Sequence, residues 1–211
     1  MQKLFDKPRL ARRMIALFAG VFLMGAGVAV FDQLGFGTDP CSVMNLAICR
    51  IIGWSYGNWL LTMNVILLLI LLLLGEIRRI GVGSVANIVC VGYSADFVTW
   101  IINSIHPLAD ETLFVKLIVF VPTMAVFLVA VALYMVVDMG VSPYDALPQV
   151  IAERIKKPFS IVRLFWDVAV LSIGFLLGGR VGLVTLVTGF CVGPVFGAIA
   201  KFIRPFFEDK G

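Results

Sequence analysis

Between Leu117 and Val137 the chain runs for 21 residues without a charged side chain, and between Val181 and Ala200 for another 20. About 20 apolar residues in a helix match the hydrocarbon thickness of a bilayer. A helix bonds its own backbone groups internally and offers lipid only side chains, so it needs no partner in order to cross. Apolar runs at 14–31, 59–74, 81–102 and 161–177 bring the total to six expected spanning helices. Barrel strands would be shorter and would alternate, which these runs do not. Of all residues, 61% are hydrophobic and only 14% charged, against roughly 25% charged in a soluble domain. Too few polar side chains exist to cover a soluble surface. A disordered chain, a disulfide-rich secreted module and a basic nucleic-acid-binding face are excluded for the same reason. The lipid bilayer is the expected partner, nucleic acid is not one, and assembly with further copies of the chain is left open.

Lysine and arginine give an orientation. The N-terminal tail (Lys3, Lys7, Arg9, Arg12, Arg13), the loop with Arg78 and Arg79, the loop with Arg154, Lys156 and Lys157, and the C-terminal end (Lys201, Arg204, Lys210) fall on one side of alternating helices. The other side holds only Arg50, Lys116 and Arg180, so the split is 13 to 3. Both termini are therefore expected in the cytoplasm. No cleavage pattern follows the basic start, so the first helix is read as retained.

The chain also repeats itself. Gly37-Thr38-Asp39-Pro40-Cys41-Ser42-Val43 aligns with Gly140-Val141-Ser142-Pro143-Tyr144-Asp145-Ala146 at an offset of 103 residues. Asn64-Val65 then meets Asp167-Val168, and Leu73-Leu74-Gly75 meets Leu176-Leu177-Gly178. After a two-residue gap, Gly81, Ser84 and Cys90-Val91-Gly92 meet Gly182, Thr185 and Cys191-Val192-Gly193. The match lies in glycine, proline and polar positions, where chance similarity between apolar helices is weakest. One membrane domain (1–211) of two units follows, 14–104 and 114–203, each with three spanning helices and a short helix, 40–52 or 143–155. Three crossings are odd, so the second unit enters the membrane inverted, an architecture found in many transporters.

Pro40 and Pro143 suit the first turn of a helix, with Asp39 and Ser142 as N-caps. The helices they begin are too short to span. They either re-enter the membrane, with their N-termini aimed at a central site, or lie flat at the interface. Inside the fifth span, Arg163 and Asp167 share one face. A charge there costs about 2.5–3.5 kcal/mol on insertion scales and normally faces the bundle interior. Asn64 holds the equivalent place on the second span. The candidate ligand-binding residues are therefore Arg163, Asp167, Asn64, Asp145, Ser142, Ser42, Thr38 and Asp39, with Gly37, Pro40, Gly140 and Pro143 setting the helix starts. A closed Arg163–Asp167 pair or a simple cap at Asp145 is the structural alternative for these groups. The pairs Ser84/Asn87 and Thr185/Thr188 are read as interhelical hydrogen bonding, Asp96 as an outer-interface group, and Trp54, Trp59 and Trp100 as an aromatic belt. Cys41, Cys49, Cys90 and Cys191 show no paired spacing, and His106 is the only histidine, so no metal site, cofactor or catalytic constellation is expected.

Gly37-x-x-Pro40, the stretch Gly140-Val141-Ser142-Pro143-Tyr144-Asp145-Ala146-Leu147, and the turns Gly81-Val82-Gly83-Ser84 and Gly178-Gly179-Arg180-Val181-Gly182 resemble the YitT/YczE-type bacterial membrane proteins over residues 14 to 203. The resemblance implies a fold group and a bacterial cytoplasmic membrane, and names no substrate. In the first half Cys41-Ser42 stands where that pattern carries an aromatic–Asp pair. The functional expectation is a small transporter or facilitator for an unidentified solute or ion. Arg163 and the helix N-termini lean towards a ligand with an anionic group, and Asp145 and Asp167 leave proton or cation coupling open. A channel and a non-catalytic scaffold or accessory subunit are the alternatives.

Overall fold

The computed structural model describes residues 10–207, and the side chains of these except at 77 and 190–197. Lys3, Lys7, Arg9 and Lys210 lie outside the described residues, as does the side chain of Cys191. All regular structure among the described residues is helical: α1 (Leu10–Leu34), α2 (Pro40–Ile52), α3 (Tyr56–Leu73), α4 (Val82–Ile105), α5 (Leu113–Val136), α6 (Pro143–Arg154), α7 (Phe159–Leu176) and α8 (Leu183–Ile203), with single 3-10 turns between some of them. Local chemistry sets the starts. Asp39, Ser55, Thr112 and Ser142 each accept a backbone amide at an N-cap. Gly53, in the left-handed region at φ 71°, ends α2 by donating to the Cys49 carbonyl.

Five of these helices, α1, α3, α4, α5 and α7, are long and apolar enough to cross a membrane. Their outward faces carry Leu69, Leu73, Phe114, Val121, Phe165 and Leu176, all exposed. Water would penalise such a surface and lipid does not. The interior is built around α1, which packs against α4 and α5. Leu17, Val21 and Phe31 of α1 are fully buried, and Phe31 meets Phe127 edge-on at 5.5 Å. Helix α8 packs on α5, α4 on α3, α2 on α7, and α6 on both α3 and α7.

The linkers before α2 and α6 dock in the same way. Gly83 N donates to the Met139 carbonyl (2.7 Å), and Val184 N donates to the Phe36 carbonyl (3.0 Å). A Cβ on Gly81 would lie 2.3 Å from Met139 O, and one on Gly182 2.3 Å from Phe36 O. Only glycine allows these approaches. Gly37 and Gly140 bend the linkers at φ 77° and 115°, also glycine territory.

Among the described residues, Arg13, Arg79 and Arg154 bond at one end of the bundle. Arg13 donates to the carbonyls of Val137 and Phe207, both at 2.8 Å. Val141 N donates to Arg79 O, and Arg79 itself pairs with Glu76 and Glu153. Burial disfavours the Arg79 charge, but its bonds to Glu153 and Glu76 outweigh that and raise its pKa above the ordinary arginine range. At the opposite end Arg50 pairs with Asp32, and Arg180 lies beside Gly35.

Trp54 and Trp100 are exposed, as belt residues would be. Trp59 differs: it is half-buried, and its indole N–H donates to Asn45 Oδ1 of α2 (2.9 Å). The polar pairs also differ from simple interhelical bonding. Ser84 Oγ donates to Val141 O of the docked linker, and Thr188 bonds back to Val184 O of its own helix.

Candidate functional site

Helix α6 begins where the linker turns at Gly140. Ser142 caps it by accepting the Asp145 amide (3.2 Å), and the Ser142 hydroxyl donates to Asp145 Oδ2 (2.8 Å). The other carboxylate oxygen of Asp145 pairs with Arg163 Nη1 in the second turn of α7. Arg163 Nε also donates to Asp167 Oδ2 at 2.8 Å. One guanidinium thus bridges a carboxylate on α6 and a carboxylate on α7. Tyr144 completes the group, with its hydroxyl donating to Asp167 Oδ1 (2.9 Å) and its ring 5.2 Å from the guanidinium carbon. Arg163, Asp145 and Asp167 keep only 30%, 28% and 22% of their side-chain surface. Charge-assisted bonds at this burial hold one geometry.

Helix α2 repeats the cap with the roles exchanged. Asp39 is the N-cap, accepting the Ser42 amide (3.1 Å), and the Ser42 hydroxyl bonds Tyr56 OH (2.9 Å). Thr38 is buried, with its hydroxyl turned to the Asp39 carbonyl. Cys41, two residues after Asp39, lies within electrostatic reach of Asp39, Asp145, Arg163 and Asp167. The first turns of α2 and α6 therefore converge on Arg163 and Asp167.

Asn64 is 2% exposed, and its amide donates to Leu60 O one turn back (2.9 Å). Its Oδ1 is buried without a partner, as is Trp166 Nε1. Buried polar atoms are normally satisfied, so Asn64 Oδ1 lacks a donor and Trp166 Nε1 lacks an acceptor. The structure thus brings together Arg163, Asp167, Asp145, Ser142 and, within electrostatic range, Asp39. It does not bond Asn64, Ser42 or Thr38 to the arginine. Tyr144 has a place in this cluster that its residue type alone did not announce. A phenol beside a helix-start proline and an intramembrane Arg–Asp pair is the signal that points to it.

Two shallow, open depressions lie elsewhere. One is lined by Gln149, Ala152, Glu153, Lys156, Lys157 and Phe159, the other by Gly53, Trp54, Ser55, Asn58, Leu61 and Thr62. No set of three His, Cys, Asp or Glu side chains is placed to hold a metal ion among the described residues. At the arginine-poor end, Asp96 of α4 accepts the amides of Tyr56 (3.1 Å) and Gly57 (2.9 Å), closing the start of α3. Asp96→Ala is expected to lower stability by about 1–2 kcal/mol, the cost of a lost cap, read as a lower melting temperature of the detergent-solubilised protein.

The family model described as a family of unknown function, DUF6198, matches residues 11–201. The chain belongs to the DUF6198 family. Relatives of this DUF6198 chain include an uncharacterized protein of Haemophilus influenzae, 31% identical over 186 residues, covering 86% of this chain and 79% of that one. Two Bacillus subtilis proteins also match. The uncharacterized protein YyaS is 24% identical over 90% of each chain, and the uncharacterized membrane protein YczE is 22% identical over 89% of this chain and 85% of its own length. No solved structure matches. The YczE-type likeness and the apolar helices agree: this is a multi-pass membrane protein of that group.

Proposed function

We propose that this DUF6198 protein is a small transporter or facilitator of the bacterial cytoplasmic membrane. Two inverted three-helix units, with α8 as the sixth span and both termini inside, would enclose a ligand between the starts of α2 and α6. The carrying observation is Arg163, which ties the first turn of α6 to Asp167 within a span. Charges in a span are repaid only at an interior surface or a water-filled path.

The symmetry reading has support from pairs of equivalent contacts. The Gly83–Met139 and Val184–Phe36 bonds correspond under the repeat, as do the packing of α1 on α4 and of α5 on α8, and of α2 on α7 and of α6 on α3. Burial favours re-entry of the short helices. In α6 only Glu153 and Arg154 are exposed, and in α2 only Arg50, Ile51 and Ile52. A helix lying flat at the interface would expose one face along its whole length. The closed Arg163 bridge then belongs to an occluded state.

A second reading, a scaffold or accessory subunit, is favoured by that same closed bridge and by the position of both depressions away from it. Proteoliposomes decide between the two. Loaded with a panel of radiolabelled anionic, cationic and neutral solutes, wild-type vesicles are expected to exchange at least one faster than protein-free vesicles. Asp167→Asn and Arg163→Leu should slow that exchange by at least about tenfold, the effect of losing roughly 1.4 kcal/mol of stabilisation. Exchange equal to protein-free vesicles for every solute favours the scaffold.

A further inference from the structure

The charge count of the central cluster speaks to its ligand, and this inference rests on the proposed central site between α2 and α6. Two carboxylates, Asp145 and Asp167, pair with a single guanidinium, Arg163, and a third, Asp39, lies within electrostatic range of it. That leaves an excess of two negative charges. The N-termini of α2 and α6 supply about half a positive charge each and cancel one of them. Arg163 spends its bonds on Asp145 and Asp167. Asp39 is left with Ser42, through its amide and its side chain, and it belongs to no ion pair among the described residues.

The second observation is Asn64. Leu60, Asn64, Leu67 and Leu71 recur at helical spacing along one face of α3. Leu67 and Leu71 pack against Ala146, Leu147 and Val150 of α6. Towards the other end of α3, Tyr56 and Trp59 bond Ser42 and Asn45 of α2. Along α3, Asn64 therefore falls between the residues that meet α2 and those that meet α6, and its orphaned Oδ1 is an acceptor with no donor. A carboxylate without an ion pair and a carbonyl oxygen without a donor, both inside the bundle, ask for positive charge and for hydrogen-bond donors. An anion would meet the excess negative charge and would leave Asn64 Oδ1 unsatisfied.

We infer that the central site takes a cationic ligand, a monovalent cation or an ammonium group, held by the Asp39 carboxylate and Asn64 Oδ1. Arg163 is then a fixed internal counter-ion that keeps Asp145 and Asp167 from binding it. The absence of a three-acid metal set among the described residues suits a singly charged ligand rather than a divalent ion.

The test is ligand-dependent thermal stability of the purified full chain in detergent, at constant ionic strength. Sodium, potassium, ammonium and methylammonium chlorides are titrated against N-methylglucamine chloride, and sodium acetate, sulfate and phosphate against sodium chloride. Wild type is expected to gain several degrees, saturably, with at least one of the cations, and nothing on changing the anion. Asp39→Ser keeps an N-cap, as Ser142 does in α6, while removing the charge, and should abolish the gain. Asn64→Leu should raise the half-saturating concentration at least about tenfold, the effect of roughly 1.4 kcal/mol of lost binding.

A cation response unchanged in Asp39→Ser overturns the inference. Stabilisation by anions that Arg163→Leu removes also overturns it, while leaving the central site intact. A wild type that responds to neither class but exchanges solute in vesicles overturns the cationic assignment alone. No response together with no exchange overturns the site as well.

Discussion

Arg163→Leu is expected to destabilise the protein by about 2–4 kcal/mol. The figure sits at the low end for removing one partner of a buried ion pair, because roughly a quarter of this cluster's surface stays accessible. Leucine suits a spanning helix, so the loss does not come from the new side chain. It comes from Asp145 and Asp167, which would remain as neighbouring carboxylates without their shared counter-ion. The triple variant Arg163→Leu, Asp145→Asn, Asp167→Asn should recover most of the deficit, since removing both sides of a buried pair is far less costly than removing one. Melting temperature in detergent and a double-mutant cycle measure both quantities. A single variant as stable as wild type, or no recovery in the triple, would show that the bridge is not what holds α6 to α7.

The second large effect is expected at Gly81 and Gly182. Alanine at either position puts a methyl group 2.3 Å from a backbone carbonyl oxygen, Met139 O in one case and Phe36 O in the other. Backbone cannot rotate away as a side-chain tip can. The linker must lift, and the Gly83–Met139 or Val184–Phe36 hydrogen bond goes with it. Each substitution should cost about 3 kcal/mol or more, the upper range for overpacking with a lost bond added. Because the two contacts match, the two losses should agree closely. Gly75→Ala is the control, since nothing lies within 4 Å of a Cβ there and only its left-handed φ opposes the change. Folded yield and melting temperature of the three variants provide the comparison. Tolerance at Gly182 with collapse at Gly81 would break the equivalence of the halves.

The polar exceptions show how far residue types carry and where they stop. Arg163 and Asp167, four apart on an otherwise apolar helix, declare a shared face through helical spacing alone. Asp145 does not declare its partner, because a carboxylate in a first turn can serve simply as a cap. Only the meeting of α6 with α7 turns it into the second arm of the arginine. Trp59 reads as a belt residue by type and position, yet its N–H is committed to Asn45, a contact set by how α2 lies across α3. Asp96 reads as an interfacial charge. The structure spends it on the amides of Tyr56 and Gly57, a bond across 39 and 40 residues that no local pattern encodes. The exchanged caps are a subtler case. Asp39-Pro40-Cys41-Ser42 and Ser142-Pro143-Tyr144-Asp145 carry the same acid and hydroxyl in opposite order. Both helices are therefore capped, but only α6 aims its acid at Arg163.

The long uncharged runs by themselves determined that lipid is the surrounding medium and that helices are the elements. Backbone hydrogen bonds must close locally where there is no water, so hydrophobicity and length suffice. Proline, glycine and cap residues likewise placed the two short helices to within a residue, because those choices depend on neighbours in the chain. Which helix meets which, which carboxylate reaches the arginine, and which carbonyl is left without a donor were decided only by tertiary packing. Those outcomes depend on distances between residues remote in sequence, where one apolar face fits another equally well on composition alone.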